Sequence, residues 1–254
     1  MLEPAPGTAA EVPRRPGRLL VGTSGYSYAD WAPRFYPPGT KSTDLLRLYA
    51  GRLPACELNN TFYQQPKPDR IAAWLAATPD DFRFVVKAQR GGSMAALAAD
   101  PAGTLDWLLR PYRGFGQRLG SVLFRIPANV RRDDDRLAAL LEAWPADVPL
   151  TLEAQDPSWA VDETFDRLGG IGAAWCSTDL DDGDEPSIRL LAPWIYLRLR
   201  RTSYEGTSLD AWADRLEPFL ASGHDAFVFF RHDATGESAL SALALAERVR
   251  KRVG

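Results

Sequence analysis

From residue 19 onward, short apolar runs alternate eight times with longer stretches of amphipathic helical pattern. Apolar runs of this length, bounded by turn residues, are typical of strands buried on both faces of a parallel sheet. Eight strand–helix units predict an α/β protein of one (β/α)8 TIM-type barrel. The predicted strands are 18–23, 55–59, 82–87, 121–126, 149–154, 172–178, 194–198 and 225–230.

The segments between the strands carry helical periodicity, with two irregularities. The pattern over 100–119 is broken at Pro111, because proline disrupts a helix interior. After the sixth strand, "DLDDGDEPS" (179–187) is acidic and rich in turn residues, which predicts an irregular βα unit with a loop. An open doubly wound sheet is the alternative, but the first turn, "GTSGYSYADW", lacks GxGxxG. The predicted helices are 42–52, 68–78, part of 100–119, 133–144, 161–168, 209–220 and 237–251.

The composition of the 254 residues, 45% hydrophobic and 25% charged, is that of a globular protein, and we predict one domain over residues 19–254. Residues 1–18 are rich in Pro, Ala and Gly without the apolar run of a signal peptide, which predicts a disordered tail. A net charge of −3 disfavours a generally basic nucleic-acid binder. Two cysteines and no membrane-spanning stretch predict a cytoplasmic protein without a membrane partner; the oligomeric state stays open.

Polar side chains end every predicted strand, as in "CELNNTFYQQPKP" (56–68). In a parallel barrel the carboxyl ends of the strands meet at one mouth, and residues two apart share a face. Burying many charges costs several kcal/mol each unless they are paired or hydrated, so a polar pocket is predicted there. The residues that end the strands are Thr23, Ser24, Glu57, Asn59, Lys87, Arg125, Glu153, Asp179, Arg198, Arg231 and His232.

These residue types predict a site for a small anionic or phosphorylated molecule, and an enzyme of hydrolase or lyase type. Lys87, Arg125 and Arg198 would hold the anion, because arginine offers bidentate contact. Glu57 and Glu153 are the candidate general acid and base. The candidate catalytic residues are Glu57, Glu153, Asp179 and Lys87, and the candidate ligand-binding residues are Ser24, Asn59, Thr61, Tyr63, Arg125, Arg198, Arg231 and His232.

Three alternatives stay open at this point. Asn59 and Thr61 are expected to orient Glu57. The first alternative is that the charged residues form only a structural network of ion pairs, with no ligand. A nucleic-acid-processing, endonuclease-like barrel is a second alternative, since aromatic residues crowd the first βα loop (26–36) and stack on bases. A non-catalytic binding protein with a degenerate site is the third. A mouth plugged by Trp31, Arg200 or Arg201, without reachable carboxylates, would favour it.

No cofactor is required by the sequence, and a metal site is a weaker hypothesis. Glu57, Glu153 and Asp179 are the weak candidates for ligands of Mg²⁺ or Mn²⁺, which prefer carboxylate oxygens. With only His224 and His232 and no HExxH, a histidine-rich zinc site is disfavoured. The positions of Cys56 and Cys176 within strands predict inert core thiols.

Four stretches carry a family resemblance: "VGTSGYSYADWAPRFYPPG" (21–39), "ELNNTFYQQPKPDRIAAW" (57–74), "TPDDFRFVVKA" (78–88) and "DPSW" (156–159). In their order they resemble the YecE-like family, whose fold is a TIM barrel and whose function is not established. The resemblance implies that several residues match the types that the family has at the same positions. In the opening motif these are Gly22, Ser24, Gly25, Trp31, Phe35 and Tyr36, and further along the chain they are Glu57, Asn59, Thr61, Tyr63, Lys87, Glu153, Asp179 and Arg198.

The chain departs from the family pattern at four places. Arg125 stands near a common Gln, and Gln155-Asp156 stand where the family has Arg-His. Arg200-Arg201 replace a His-Gly, and 231–233 replace an Asn-rich end of strand eight. Histidines are lost and arginines gained, so we expect a more cationic mouth.

Overall fold

The computed structural model describes residues 15–98 and 101–253. Their strands form one parallel sheet in the order β1-β8-β7-β6-β5-β4-β3-β2, and a bridge between Ser24 and Glu57 joins its two ends. This confirms the predicted single (β/α)8 barrel. The strands are β1 (Leu19–Thr23), β2 (Ala55–Leu58), β3 (Arg83–Lys87), β4 (Leu119–Ile126), β5 (Leu150–Ala154), β6 (Ala174–Asp179), β7 (Trp194–Leu199) and β8 (Asp225–Phe230).

Helices cover the outside of the barrel and pack against its strands in a large apolar cluster. Residues 180–193 contain no helix, as predicted for the irregular unit. None of the helices in the described ranges is long and apolar enough to cross a membrane. The helices are α1 (Leu45–Ala50), α2 (Pro68–Ala76), α3 (Arg90–Ala98), α4 (Pro101–Leu109), α5 (Asp134–Ala143), α6 (Asp162–Gly170), α7 (Gly206–Ala221) and α8 (Glu237–Val253), with 3₁₀ helices at Ala29–Trp31, Asn60–Phe62, Tyr112–Arg118 and Pro157–Trp159.

Most of the tail predicted for residues 1–18 lies outside the described residues, which begin at residue 15. At its end, the Gly17 backbone N–H donates to the Leu220 carbonyl at 2.8 Å. The Arg18 N–H donates to Asp225 Oδ1 at 2.7 Å. The chain is therefore attached to the amino end of β8 before β1 begins.

The interior of the barrel has its own apolar cluster, separate from the one under the helices. Because side chains alternate along a strand, each member fixes the phase of its strand, and the residue two positions later also faces inward. The inward residues of this cluster on the strands are Leu20, Ala55, Val85, Leu123, Ala174, Cys176, Tyr196, Phe227 and Phe229. Counting two residues onward gives the inner residues at the mouth, which are Glu57, Lys87, Arg125, Thr178 and Arg198.

Gly22 lets β1 and β2 approach where the barrel closes. A Cβ atom at Gly22 would lie 1.9 Å from the Ala55 carbonyl oxygen and 2.8 Å from the Tyr49 hydroxyl. That hydroxyl links the two strands, because it donates to the Ala55 carbonyl at 2.9 Å and accepts from the Thr23 N–H at 2.8 Å.

We expect Gly22→Ala to lower the free energy of unfolding by about 1–3 kcal/mol, the usual cost of overpacking, because the backbone itself must move. Urea denaturation measures this. Gly103→Ala is the matched control: its Cβ would meet no atom within 4 Å, and alanine favours the helix interior. An equal effect of both substitutions would contradict the close approach at Gly22.

Candidate functional site

A buried Glu57–Arg198–Glu153 triad lies across the mouth of the barrel. Arg198 Nη2 donates to Glu57 Oε1 at 2.7 Å, and Arg198 Nη1 donates to Glu153 Oε1 at 2.7 Å. The second oxygen of Glu57 accepts from the Tyr196 hydroxyl at 2.8 Å. The three side chains come from β2, β5 and β7, and each carries its charge in a place where an unpaired charge would cost several kcal/mol.

The pairing favours the ionised forms of Glu153 and Arg198. Burial opposes the charge on Glu153, but the charges of Arg198 and Arg125 hold the pKa of its carboxyl below the ordinary value. Burial likewise opposes the charge on Arg198, and the charges of Glu57 and Glu153 raise its pKa well above the ordinary value. The triad is therefore a charged network, and Glu153 is a poor proton donor at neutral pH.

Arg125 and Lys87 lie beside the triad without equally good partners. Arg125 Nε is 3.3 Å from Glu153 Oε2, an ion pair whose geometry is not that of a hydrogen bond. The Lys87 ammonium lies 4.4 Å from the centre of the Phe62 ring. Burial and the charge of Arg198 lower the pKa of Lys87 to about 8, although Glu57 and Glu153 act in the opposite direction.

A cavity of about 240 Å³ opens next to Arg125. Phe62 lines it from one side and also lies against the Lys87 amine. Arg90, the first residue of α3, brings a second guanidinium to its wall. This space is suited to a small molecule with a negative group. The lining residues are Phe62, Arg90, Met94, Arg125, Pro127 and Asn129.

More positive charge lies at the end of β7 and beyond β8. Arg200 is half-buried, and burial followed by the Arg198 charge lowers its pKa. Arg231 Nη2 lies 3.5 Å from the Thr202 hydroxyl. The His232 ring stacks on Tyr28 with ring centres 5.1 Å apart. This partial burial, together with the Arg200 and Arg231 charges, lowers the pKa of His232. Arginines therefore lie along this part of the rim, beside the acidic loop that follows β6, where Asp179 pairs with Arg201.

Asp179 does not join the triad, which corrects its expected position. Thr178 holds the inward position of β6, so Asp179 faces the outside of the barrel. Asp179 Oδ1 accepts from Arg201 Nε at 2.8 Å, and Oδ2 accepts from the Tyr204 hydroxyl at 2.9 Å. A shift of one residue in strand phase moves a side chain to the opposite face, and this accounts for the difference.

Glu57 is oriented by residues other than the expected ones. The Asn59 amide donates to the Ser24 carbonyl at 3.1 Å. The Thr61 hydroxyl lies 2.6 Å from the Leu58 carbonyl and 2.7 Å from the Lys87 carbonyl, so it links the loop after β2 to the end of β3. Neither side chain bonds to Glu57, whose partners are Tyr196 and Arg198.

Two further candidates, Ser24 and Tyr63, differ in their accessibility to a ligand from solvent. The Ser24 hydroxyl is buried and donates to the Phe230 carbonyl at 3.1 Å, so it stabilises the junction of β1 and β8. Tyr63 is 79% exposed, and its ring lies edge-on to Phe62. Of the two, only Tyr63 is placed to contact a molecule from solvent.

The weak metal candidates are not brought together. Within residues 15–98 and 101–253, no three or more His, Cys, Asp or Glu side chains form a group that could hold a metal ion. Arg198 lies between Glu57 and Glu153, and Asp179 faces away. Cys56 and Cys176 are buried free cysteines, and burial raises the pKa of both thiols, in agreement with inert core positions.

The aromatic residues of the first βα loop mostly pack inward. Trp31, Phe35 and Tyr36 are buried in the outer apolar cluster, and Trp31 Nε1 donates to the Asp233 carbonyl at 2.8 Å. Trp31 therefore does not plug the mouth. Tyr28 remains half-buried beside His232 and is the residue of this loop that could stack on a ligand ring.

Several residues of the site were missed in the sequence. Thr178 and Tyr196 lie in the inward phase of β6 and β7, so strict counting by two from a core residue would have found them. Arg90 and Asn129 come from α3 and from the loop after β4, where no periodic signal indicates a pocket.

Comparisons with known proteins agree with this fold. A family model described as "Protein of unknown function DUF72" matches residues 20–254. The UPF0759 protein YunF of Bacillus subtilis (strain 168) is 22% identical over 260 residues, covering 87% of this chain and 91% of that protein.

Solved structures are similar over the whole barrel. A DUF72 family protein from Thermotoga maritima superposes with a TM-score of 0.74 at 23% identity, covering 92% of this chain and 99% of that one. A DUF72 family protein from Enterococcus faecalis superposes with a TM-score of 0.74 at 17% identity, covering 91% of this chain and 95% of that one. A glycoside hydrolase family 30 subfamily 8 xylanase from Clostridium acetobutylicum superposes with a TM-score of 0.53 at 9% identity, covering 95% of this chain and 73% of that one. At these identities the likeness concerns the fold alone.

Proposed function

The chain belongs to the DUF72 family of unknown function, and we propose from its own site that it binds and acts on a small anionic or phosphorylated molecule. We also infer that the YecE-like family is this family under another name, because the four motifs lie within residues 20–254. A cytoplasmic location is part of the proposal, supported by the two free buried cysteines.

The observation that carries the proposal is an excess of positive charge at the mouth. Glu57 and Glu153 together neutralise Arg198 and part of the charge of Arg125. Lys87 and Arg200 remain without an ion-pair partner in the described part of the chain. Partly buried cations beside a cavity attract an anion more strongly than cations in water, because the local dielectric is lower.

The ligand is proposed to enter the cavity between Arg90 and Arg125. Guanidinium groups recognise phosphate and carboxylate oxygens through paired, charge-assisted hydrogen bonds. Asn129 adds an amide that is able to donate as well. Arg125 keeps 27% of its side chain exposed, so it is accessible from this side while its Nε faces Glu153.

The buried state of the carboxylates argues against the acid–base roles first assigned to them. Glu57 is fully buried and Glu153 is 4% exposed, and both are bound to Arg198. Glycoside hydrolysis requires one carboxylic acid that can donate a proton and one carboxylate free to attack or to activate water. The fold shared with the xylanase therefore does not carry its activity to this chain.

The same observation favours a second candidate, a binding protein without catalysis. In that case the triad supports the wall of the pocket, and the cations retain the anion. The two candidates share the anion site and differ in whether a reactive group faces the ligand. Lys87 is the group on which this difference depends.

Inorganic phosphate is expected to bind to the protein, with an affinity that falls as ionic strength rises because exposed charges are screened. Isothermal titration calorimetry measures this. Arg125→Met should weaken binding by about tenfold, the loss of one charge-assisted contact.

Arg113→Met is the matched control. Arg113 pairs with Asp147, which precedes β5, so it lies at the opposite end of the barrel. Equal affinity of wild type and Arg125→Met, or an equal loss in Arg113→Met, would contradict the site.

A further inference from the structure

Lys87 differs from the other buried charged side chains. Glu57, Glu153, Asp179 and Arg198 each form an ion pair shorter than 3 Å. Within the described ranges, Lys87 has no carboxylate within ion-pair distance, and its amine lies against the Phe62 ring instead. A buried amine that is not used to balance charge is unusual. Lys87 is the last residue of β3 and faces inward, at the carboxyl end of the strand where barrel enzymes place reactive groups.

The surroundings of Lys87 favour its neutral, nucleophilic form. A lysine amine is activated when it is desolvated in an apolar pocket or placed beside another cation. Lys87 meets both conditions, because it is 8% exposed beside Phe62 and faces the charges of Arg198 and Arg125. With a pKa of about 8, roughly a quarter of the amines are neutral at pH 7.5, against about one in a thousand for an ordinary lysine.

The cavity described above adjoins the surroundings of this amine. Phe62 lines the cavity and lies 4.4 Å from the Lys87 amine. Arg125 also lines it, on the strand next to Lys87 and two residues beyond Leu123, with which Lys87 pairs, so the amine lies just behind this wall. Arg90 and Arg125 on its wall would hold a phosphate or carboxylate. The carbon atoms of the same molecule would then face Lys87.

We propose that Lys87 is an imine-forming amine, which attacks the carbonyl carbon of a small aldehyde or ketone held through its phosphate or carboxylate by Arg90 and Arg125. This inference rests on the proposed anion site and names its substrate class.

The chemistry needs no other reactant. The amine lone pair forms the C–N bond, the carbonyl π electrons move to oxygen, and a proton shifts from nitrogen to that oxygen to give a carbinolamine. Loss of water breaks the C–O bond and gives the imine. Its protonated form withdraws electrons from the neighbouring carbon, so a C–H or C–C bond there is weakened. The carboxylates of Glu57 and Glu153 favour this cation, as they favour the charged lysine.

Borohydride trapping tests the proposal on the unmodified protein. Dihydroxyacetone phosphate and glyoxylate serve as anionic probes, and neutral dihydroxyacetone is the comparison. Borohydride delivers a hydride to the imine carbon, so the trapped lysine gains the mass of the carbonyl compound less one oxygen. Peptide mass spectrometry measures the labelled fraction of each lysine separately. The exposed Lys41, Lys67 and Lys251 are internal controls.

At pH 7.5 we expect labelling of Lys87 to exceed that of each exposed lysine by about tenfold or more, as its neutral fraction requires. Inorganic phosphate should suppress it, and dihydroxyacetone should label Lys87 less than its phosphate does. Equal labelling of all four lysines overturns the proposal. If phosphate binds by calorimetry while Lys87 stays unlabelled, the amine role fails and the anion site stands; if phosphate does not bind, the anion site fails.

Discussion

Arg198→Met is expected to lower the free energy of unfolding by about 3–5 kcal/mol, because it leaves Glu57 without its ion-pair partner and leaves Glu153 with Arg125 alone. Glu57 has no exposed surface, so water cannot replace the lost guanidinium. The remaining donor to Glu57 is the Tyr196 hydroxyl. Urea denaturation of wild type and variant, followed by far-ultraviolet circular dichroism, measures the difference.

Two comparisons separate this effect from the mere loss of an arginine. Arg252→Met removes partly exposed pairs with Asp210 and Asp214 at the end of α8 and should cost about 1 kcal/mol. The triple variant Glu57→Gln, Arg198→Met, Glu153→Gln removes both charges along with their partner and should be more stable than Arg198→Met alone. Should Arg198→Met cost no more than Arg252→Met, the triad is hydrated and the description of a buried charged network is wrong.

The barrel was predictable because its strands are buried on both faces. A run such as 225–230 is almost wholly apolar and ends abruptly in charged residues, and β8 has the predicted bounds. The loop after β6 was predictable as well, since "DLDDGDEPS" lacks any helical face. Helix α3 (Arg90–Ala98) was missed, because its sequence contains Gly91 and Gly92 and few large apolar residues to show a period.

Three of the candidate residues, Glu57, Glu153 and Arg198, lie together in the triad, but the way in which they pair was not predictable. The sequence indicates that Glu57, Glu153 and Arg198 lie near the carboxyl ends of three separate strands of the barrel, but it does not give the distances that decide which charges form pairs. Arg198, expected to hold a ligand, is instead bound by both carboxylates. Tyr196 was not among the candidate site residues, and only the fold brings its hydroxyl to a residue 139 positions away.

Lys87 should make the protein more stable, relative to Lys87→Met, as the pH rises from 7 to 10.5. Burial and the charges of Arg198 and Arg125 lower its pKa to about 8 from an ordinary value of 10.5, while Glu57 and Glu153 only partly compensate. Between these two values the unfolded chain binds more protons than the folded protein, so the free energy of unfolding increases with pH. A shift of this size corresponds to about 3 kcal/mol over the full interval.

Urea titrations of wild type and Lys87→Met at pH 7, 8, 9 and 10.5 measure the difference, in which the titration of all other groups largely cancels. Below pH 8 the wild type carries the cost of a buried ammonium beside Arg198, so Lys87→Met should be the more stable protein there. Above pH 10 this cost is gone in the wild type, and the difference should shrink or reverse. Lys67→Met, which removes an exposed lysine, controls for the loss of one positive charge. A difference between wild type and Lys87→Met that does not change with pH would show that Lys87 is charged at no cost in the folded protein, and the imine proposal would then lose its reactive amine.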